Sequence, residues 1–336
     1  MNYRRLGETN IIVSEIGFGA WGIGGVTPGP TSYGPTDDIV SLNSLKRAFE
    51  KGITLYDTSN IYGAGHSESL IGRAFKSQRD KVIIATKAGF ADYDKPPNFS
   101  PSSIRKSLEE SLIRLQTDYV DLLQLHNPTG KIIQKHEDLL NLGEKLKQEG
   151  KIRAFGISVR SPEDGLLSIQ HLKPDAIQTN FSLLDHRVID CGLIKSAQKA
   201  NISVIARTPL CFGFLTGEFD SSTRFPSSDH RSSWPPQQIE RWVKAAQQML
   251  NIRTNPKLQT PIQFALQFCL SFDSIASTLP GMLSKEEVLE NAYASEKGPL
   301  SKSELETISA TYHSLNIFEK EEANEIQTKS ISNFET

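Results

Sequence analysis

Cysteine is scarce: Cys191, Cys211 and Cys269 are the only three in 336 residues, and no two form a C-x-x-C pair. That excludes a disulfide framework and argues against structural zinc, so a reducing, cytoplasmic setting is expected and no metal. An excess of one charge is missing too. Lys and Arg number 37 against 39 Asp and Glu, a net charge of −2, and no cluster of five or more basic residues interrupts the balance. That balance argues against a dedicated nucleic-acid binder. No apolar stretch approaches the ~18 uninterrupted residues of a membrane span, and the opening MNYRRLGETN has no apolar core of a secretory signal. Small molecules remain as the expected partners.

What the sequence does have is a rhythm. Short β-branched apolar runs recur: VSEIGFG (13–19), ITLYDTS (53–59), VIIATK (82–87), VDLLQLH (120–126), RAFGIS (153–158), AIQTN (176–180), SVIARTP (203–209) and SIASTLP (274–280). Each reads as a strand buried on both faces. Between them lie helical periodicities, such as 39–52, where Leu42, Leu45, Ala48 and Phe49 share a face and Gly52 stops the helix. In 100–116, Ile104, Leu108, Leu112 and Leu115 form a stripe, with Pro101 in the first turn and a neighbouring Ser to cap it. Eight strand–helix repeats predict an α/β fold of the closed (β/α)8 TIM-barrel type, one domain over 1–318.

Two stretches break the rhythm. A long loop precedes the eighth strand, and its segment 211–236 is rich in Gly, Ser, Pro and aromatics; 24–38, after the first run, is a second loop. Both leave the strand ends where barrels of this kind place their chemistry. The segment 319–336 carries five acids and two lysines and reads as a polar tail.

GFGAWG (17–22) matches G-x-G-x-x-G after a predicted strand, yet it runs into GIGGVTPGP, where Gly and Pro forbid the helix a dinucleotide fingerprint must open. The informative residues are polar groups at strand ends. Asp57 closes the second run, Tyr62 follows five residues later, Lys87 ends the third run and His126 the fourth. A Lys next to the core needs a carboxylate, and Asp57 on the neighbouring strand is the natural one. A Lys cation beside a phenol stabilises the phenolate, which suits Tyr62 to donate a proton to a developing alkoxide, with His126 orienting a carbonyl. Singly, each has a structural reading as an ion pair, a loop aromatic or a core histidine; four at one barrel mouth point to a site.

With these residues in place the sequence resembles an aldo-keto reductase. The resemblance runs from YRRLGETNIIVSEIGFGAWGIGG (3–25) through GITLYDTSNIYGAGHSESLIG (52–72), DKVIIATKAG (80–89), LIRLQTDYVDLLQLHNP (112–128) and GKIRAFGIS (150–158) to PLCFGFLTG (209–217). It implies a barrel closed at its base by an N-terminal β-hairpin, a nicotinamide cofactor across the mouth, and a catalytic tetrad of Asp57, Tyr62, Lys87 and His126. It also implies that Ser158 and Gln178 meet the nicotinamide carboxamide, that Arg207 lies under the nicotinamide, and that Pro209, Leu210, Gly213, Leu215 and Gly217 belong to a pyrophosphate clasp. Gly281, Glu287, Glu290 and Asn291 fall on the adenosine side, and Trp21 on the substrate pocket.

Departures from the family pattern bear on the cofactor. Val159 stands where Asn is usual, Arg207 where many members have an aromatic, and PGMLSKEEV (280–288) offers Lys285 but also Glu286 and Glu287 near the ribose. Family habit favours NADP(H), with Arg231 as a further cation for the 2′-phosphate, while the carboxylates admit NAD(H). The expected activity is interconversion of an aldehyde or ketone with its alcohol. The alternative is a cofactor-binding regulatory subunit on the same fold. A hydrolase would want paired carboxylates or metal ligands at strand ends, and none cluster there.

Overall fold

The computed structural model describes residues 1–27, 31–135, 137–315 and 317–318. Strands β1 (Tyr3–Arg5) and β2 (Ile12–Ser14) pair antiparallel, Tyr3 opposite Ser14. Eight parallel strands follow, neighbours in space in chain order: β3 (Phe18–Gly19), β4 (Leu55–Asp57), β5 (Ile83–Ala88), β6 (Val120–His126), β7 (Ile152–Ser158), β8 (Ala176–Asn180), β9 (Ser203–Arg207) and β10 (Ile275–Leu279). The ring closes where Gly17 N–H donates to Thr278 O at 2.9 Å, Gly19 N–H to Pro280 O at 3.0 Å, and Thr278 N–H to Glu15 O at 2.8 Å. Only glycine fits at that seam without a shift, because a Cβ on Gly19 would lie 2.9 Å from Pro280 O. The fold is the (β/α)8 TIM barrel with its N-terminal hairpin.

One apolar run is shared by two elements. VSEIGFG supplies the end of β2 and all of β3, because Ser14 Oγ accepts from Thr54 N–H at 2.9 Å and donates to Ile16 O at 2.6 Å, bending the chain between them. The hairpin then turns its apolar side chains into the barrel. Leu6, Ile11 and Val13 meet Leu55, Leu122 and Ile205, inward-facing residues of the strands, and stopper the base. Each such burial contributes about 1.5–3 kcal/mol.

The outer core lies between strands and helices. Helix Pro101–Leu115 buries Ile104, Leu108, Leu112 and Leu115; Ser100 caps it, and Gln116 ends it at a φ of 54°. Helix Asp38–Glu50 starts where Asp37 Oδ1 accepts from Val40 N–H at 2.9 Å, buries Leu45 and Ala48, and stops at Gly52, whose φ is 81°. The long interval before β10 contains helices Pro236–Leu250 and Pro261–Leu270, so only its first part is irregular. The polar segment 319–336 lies outside the described residues. Among the described residues no helix is long and apolar enough to cross a membrane.

Candidate active site at the barrel mouth

Strand register brings the expected groups to one end. Lys87 on β5 pairs with Gln124 on β6, and His126 at the end of β6 pairs with Ser158 at the end of β7. Asp57 ends β4, and Tyr62 arrives on the following turn, its N–H donating to Ser59 O at 3.1 Å. Lys87 is 1% exposed. Its Nζ donates to Asp57 Oδ1 at 2.5 Å and Thr58 O at 2.9 Å, and lies 5.0 Å from the centroid of the Tyr62 ring. Burial alone would lower the Lys87 pKa, but the Asp57 carboxylate and the Tyr62 phenol outweigh it and the net direction is up. Lys87 is an ammonium.

The second oxygen of Asp57 takes two amide donors, Gln124 Nε2 at 2.9 Å and Gln178 Nε2 at 2.7 Å. Gln178 also donates to Gln124 Oε1 at 3.2 Å and accepts from Ser158 Oγ at 3.5 Å, so one polar chain runs from β7 to β5. Gln124 was not singled out in the sequence. The available signal was parity: two residues before His126 on one strand, it points into the same space.

His126 Nδ1 lies 3.2 Å from Ser59 Oγ, which leaves Nε2 without a protein partner among the described residues. Burial first, then Lys87, Arg207 and Arg160, hold its pKa well below the usual range. The imidazole is neutral. Phe90 meets it edge-on at 5.5 Å and separates it from a cavity of about 370 Å³ between the loop after β5 and helix Pro101–Leu115; that cavity adjoins the four residues rather than containing them.

Trp21 stands beside the mouth, its ring 4.8 Å from Tyr33 and 4.9 Å from His230. These contacts join the two irregular loops, and His230 N–H donates to Ser32 O at 2.9 Å. Arg231 corrects an expectation. It is bidentate to Asp229, donates to Phe212 O at 2.8 Å and lies 4.2 Å from the Phe225 ring, so it fastens the loop instead of standing free for a phosphate.

Beyond β9, Pro209 is buried and Leu210 half-buried, and the chain enters three successive positive-φ residues, Cys211 (46°), Phe212 (56°) and Gly213 (95°). For Cys and Phe that is a strained backbone, of a kind that persists at functional loops. Gly217 (82°) ends the loop, and Leu215 is buried in the outer core. After β10, Asn291 Nδ2 donates to Gly281 O at 3.3 Å, and Glu287 Oε2 accepts from Leu283 N–H at 2.7 Å, folding back over the start of helix Lys285–Lys297. Glu290 is instead bonded by the Thr260 hydroxyl. Thus Ser158, Gln178 and Arg207 adjoin the four central residues, while Gly281, Glu287 and Asn291 form a separate group at the β10 end. No cluster of three metal-ligand types occurs among the described residues.

A barrel of this register and polar mouth can be compared with known proteins. The model of the aldo/keto reductase family matches residues 15–313. The chain belongs to the aldo/keto reductase family. Among solved structures, the glycerol dehydrogenase of Gluconobacter oxydans superposes with a TM-score of 0.77 at 29% identity, over 94% of this chain and 97% of that one. Two relatives carry opposite cofactors in their names. The aldo-keto reductase yakc [NADP(+)] of Schizosaccharomyces pombe is 30% identical over 89% of this chain and 87% of its own. The NADH-specific methylglyoxal reductase of Escherichia coli is 31% identical over 86% and 92%. This aldo/keto reductase is thus an oxidoreductase by family, with the cofactor preference open in both directions among its relatives.

Proposed function

We propose that this aldo/keto reductase interconverts an aldehyde or ketone and the corresponding alcohol, with NAD(P)(H) as hydride carrier and Tyr62 as general acid and base. The observation that carries the reading is the buried Lys87 ammonium, held against Asp57 and 5.0 Å from the Tyr62 ring. A cation there stabilises the phenolate that Tyr62 becomes when it gives its proton to the forming alkoxide. Asp57, fixed by Gln124 and Gln178, keeps Lys87 charged and in place. His126, neutral, hydrogen-bonds the substrate oxygen and sets the carbonyl between Tyr62 and the cofactor.

The residues fit a nicotinamide cofactor. Ser158 and Gln178 offer donors and acceptors to a carboxamide, Arg207 has a buried Nε without a partner, and the strained loop from Cys211 to Gly213 can present backbone to a pyrophosphate. When bound, the cofactor supplies or accepts hydride at its C4. For its identity, family habit keeps NADP(H) as the first candidate, and the engagement of Arg231 by Asp229 strengthens the case for NAD(H). The test is an assay with both cofactors across aldehydes, ketones, aldoses, inositols and pyridoxal, followed at the nicotinamide absorbance. Turnover with none of them in either direction defeats the proposal.

A further inference from the structure

The turn that brings Tyr62 to the mouth also reaches His126. Residues 57–62 begin with Asp57 bonded to Lys87 and end with the phenol. Midway, the fully buried Ser59 places its Oγ 3.2 Å from His126 Nδ1 and is the one hydrogen-bond partner of that nitrogen among the described residues. The next residue secures the surroundings. Asn60 Nδ2 donates to Phe90 O at 2.6 Å, and the rings of Phe90 and Tyr62 stand at 75° and 85° to the imidazole. Those rings limit the tilt of His126, while Ser59 meets its polar edge.

A neutral imidazole carries one proton, and the partner of one ring nitrogen decides what the other offers. Were Nδ1 protonated, Nε2 would face the mouth as a bare acceptor, and a carbonyl oxygen would find no donor there. Ser59 has a single hydroxyl proton and two acceptors 3.2 Å away, Asn60 Oδ1 and His126 Nδ1. Its oxygen accepts from Ile61 N–H at 3.4 Å, so only the proton remains to be placed. An imidazole nitrogen is a stronger base than an amide oxygen, and the half-buried Asn60 can take a water instead. We propose that Ser59 is a positioning residue whose hydroxyl donates to His126 Nδ1, keeps the ring proton on Nε2, and so makes His126 a donor to the substrate oxygen. The use of that donor rests on the function proposed above; the assignment of the proton rests on the geometry of Ser59.

The assignment suits both directions of the interconversion. In reduction, Nε2–H holds the carbonyl oxygen while Tyr62 gives it a proton; in oxidation, Tyr62 takes the alcohol proton and the same N–H holds the oxygen that loses it. His126 keeps its own proton throughout. A serine that accepts from the backbone N–H two residues on also closes turns for purely local reasons. The two roles part on Ser59→Ala. Loss of a turn contact alone lowers stability and leaves the His126 nitrogens as they were, whereas loss of the Nδ1 donor changes the nitrogens themselves.

The test reads the ring directly, by nitrogen-15 NMR of the whole chain with labelled histidine, the His126 signals being those that vanish in His126→Gln. Wild type is expected to show Nε2 protonated and Nδ1 bare but hydrogen-bonded. Ser59→Ala is expected to move the Nδ1 signal to that of an unbonded imidazole nitrogen or to mix the two tautomers, and Ser59→Thr, which keeps the hydroxyl, to restore the wild-type pattern. With glyceraldehyde and butanal as probes, Ser59→Ala is expected to lower kcat by about tenfold or more, with the NADPH and NADH dissociation constants unchanged and Ser59→Thr recovering the rate. A wild type protonated at Nδ1 overturns the proposal. So does a Ser59→Ala spectrum identical to wild type, or an unchanged kcat in that variant beside an active wild type. If wild type turns over neither aldehyde, the oxidoreductase reading is what suffers, and the spectra alone decide the role of Ser59.

Discussion

At the base of the barrel, Arg4 has each of its nitrogens engaged: Nε donates to Glu15 at 2.8 Å, Nη1 to Phe272 O and Ile275 O, and Nη2 to Leu270 O. Nearby, fully buried Asp121 accepts from Arg79, Arg153 and the Ile84 N–H. At the mouth, the same residue type is left incomplete, with Arg207 Nε and the neighbouring Asn127 Oδ1 both buried and unpartnered. Asn127 is also held at a φ of 52°. Arg4 and Asp121 at the base are saturated by the chain and act as struts. Arg207 and Asn127 at the mouth carry unsatisfied valence, which costs folding energy and leaves capacity for a ligand.

The contrast can be broken from the mouth or from the base. The largest effect is expected from Tyr62→Phe, which removes a proton donor needed only in the transition state: turnover should fall by ~10²- to 10⁴-fold while the cofactor dissociation constant barely moves. Near-normal single-turnover rates would remove Tyr62 from the chemistry. Next is Lys87→Met, which strands the Asp57 carboxylate among Gln124 and Gln178 and should cost about 3–5 kcal/mol in urea denaturation. Adding Asp57→Asn is expected to restore most of that stability without restoring turnover, and simple additivity of the two losses would dissolve the pair.

From the base, Arg4→Met should cost about 2–3 kcal/mol, since it leaves Glu15 and three carbonyls short of donors, with kcat/KM unchanged at 25 °C. A matching loss of activity would mean the two ends are not separate. The smallest effect is expected for Glu287→Arg: the ratio of NADP(H) to NAD(H) affinity should rise about tenfold, or ~1.4 kcal/mol, read from Trp quenching. Because Glu287 also bonds Leu283 N–H, a slight drop in Tm should accompany it. An unchanged ratio would place Glu287 away from the ribose.

Much of this was legible in the chain. Strand runs buried on both faces and helices with a 3.6-residue stripe follow from backbone period and hydrophobicity, and all eight runs became barrel strands. The convergence of Asp57, Lys87 and His126 followed once the strands were ordered. What stayed hidden depended on partners far apart in sequence. Parity with His126 points Gln124 into the mouth, but nothing local marks it as a ligand of Asp57, which lies two strands away on β4. Nor does it mark Arg231 as a loop fastener, which takes Asp229, Phe212 and Phe225 together. The split of VSEIGFG into β2 and β3 rests on Ser14 meeting Thr54, again a contact that no periodicity reports.

The seam between β3 and β10 has a consequence in time. β3 is the first barrel strand to be made and β10 the last, yet they are neighbours in the finished ring. At ~5–20 residues per second, a nascent chain waits roughly 10 to 50 s between producing β3 and producing the partner for its outer edge. Through that interval Gly17 and Gly19 present unpaired N–H groups on a growing open sheet, a template for pairing with another chain. The ring therefore closes only once β10 has been made, and that strand decides whether the first one is sheltered or aggregates.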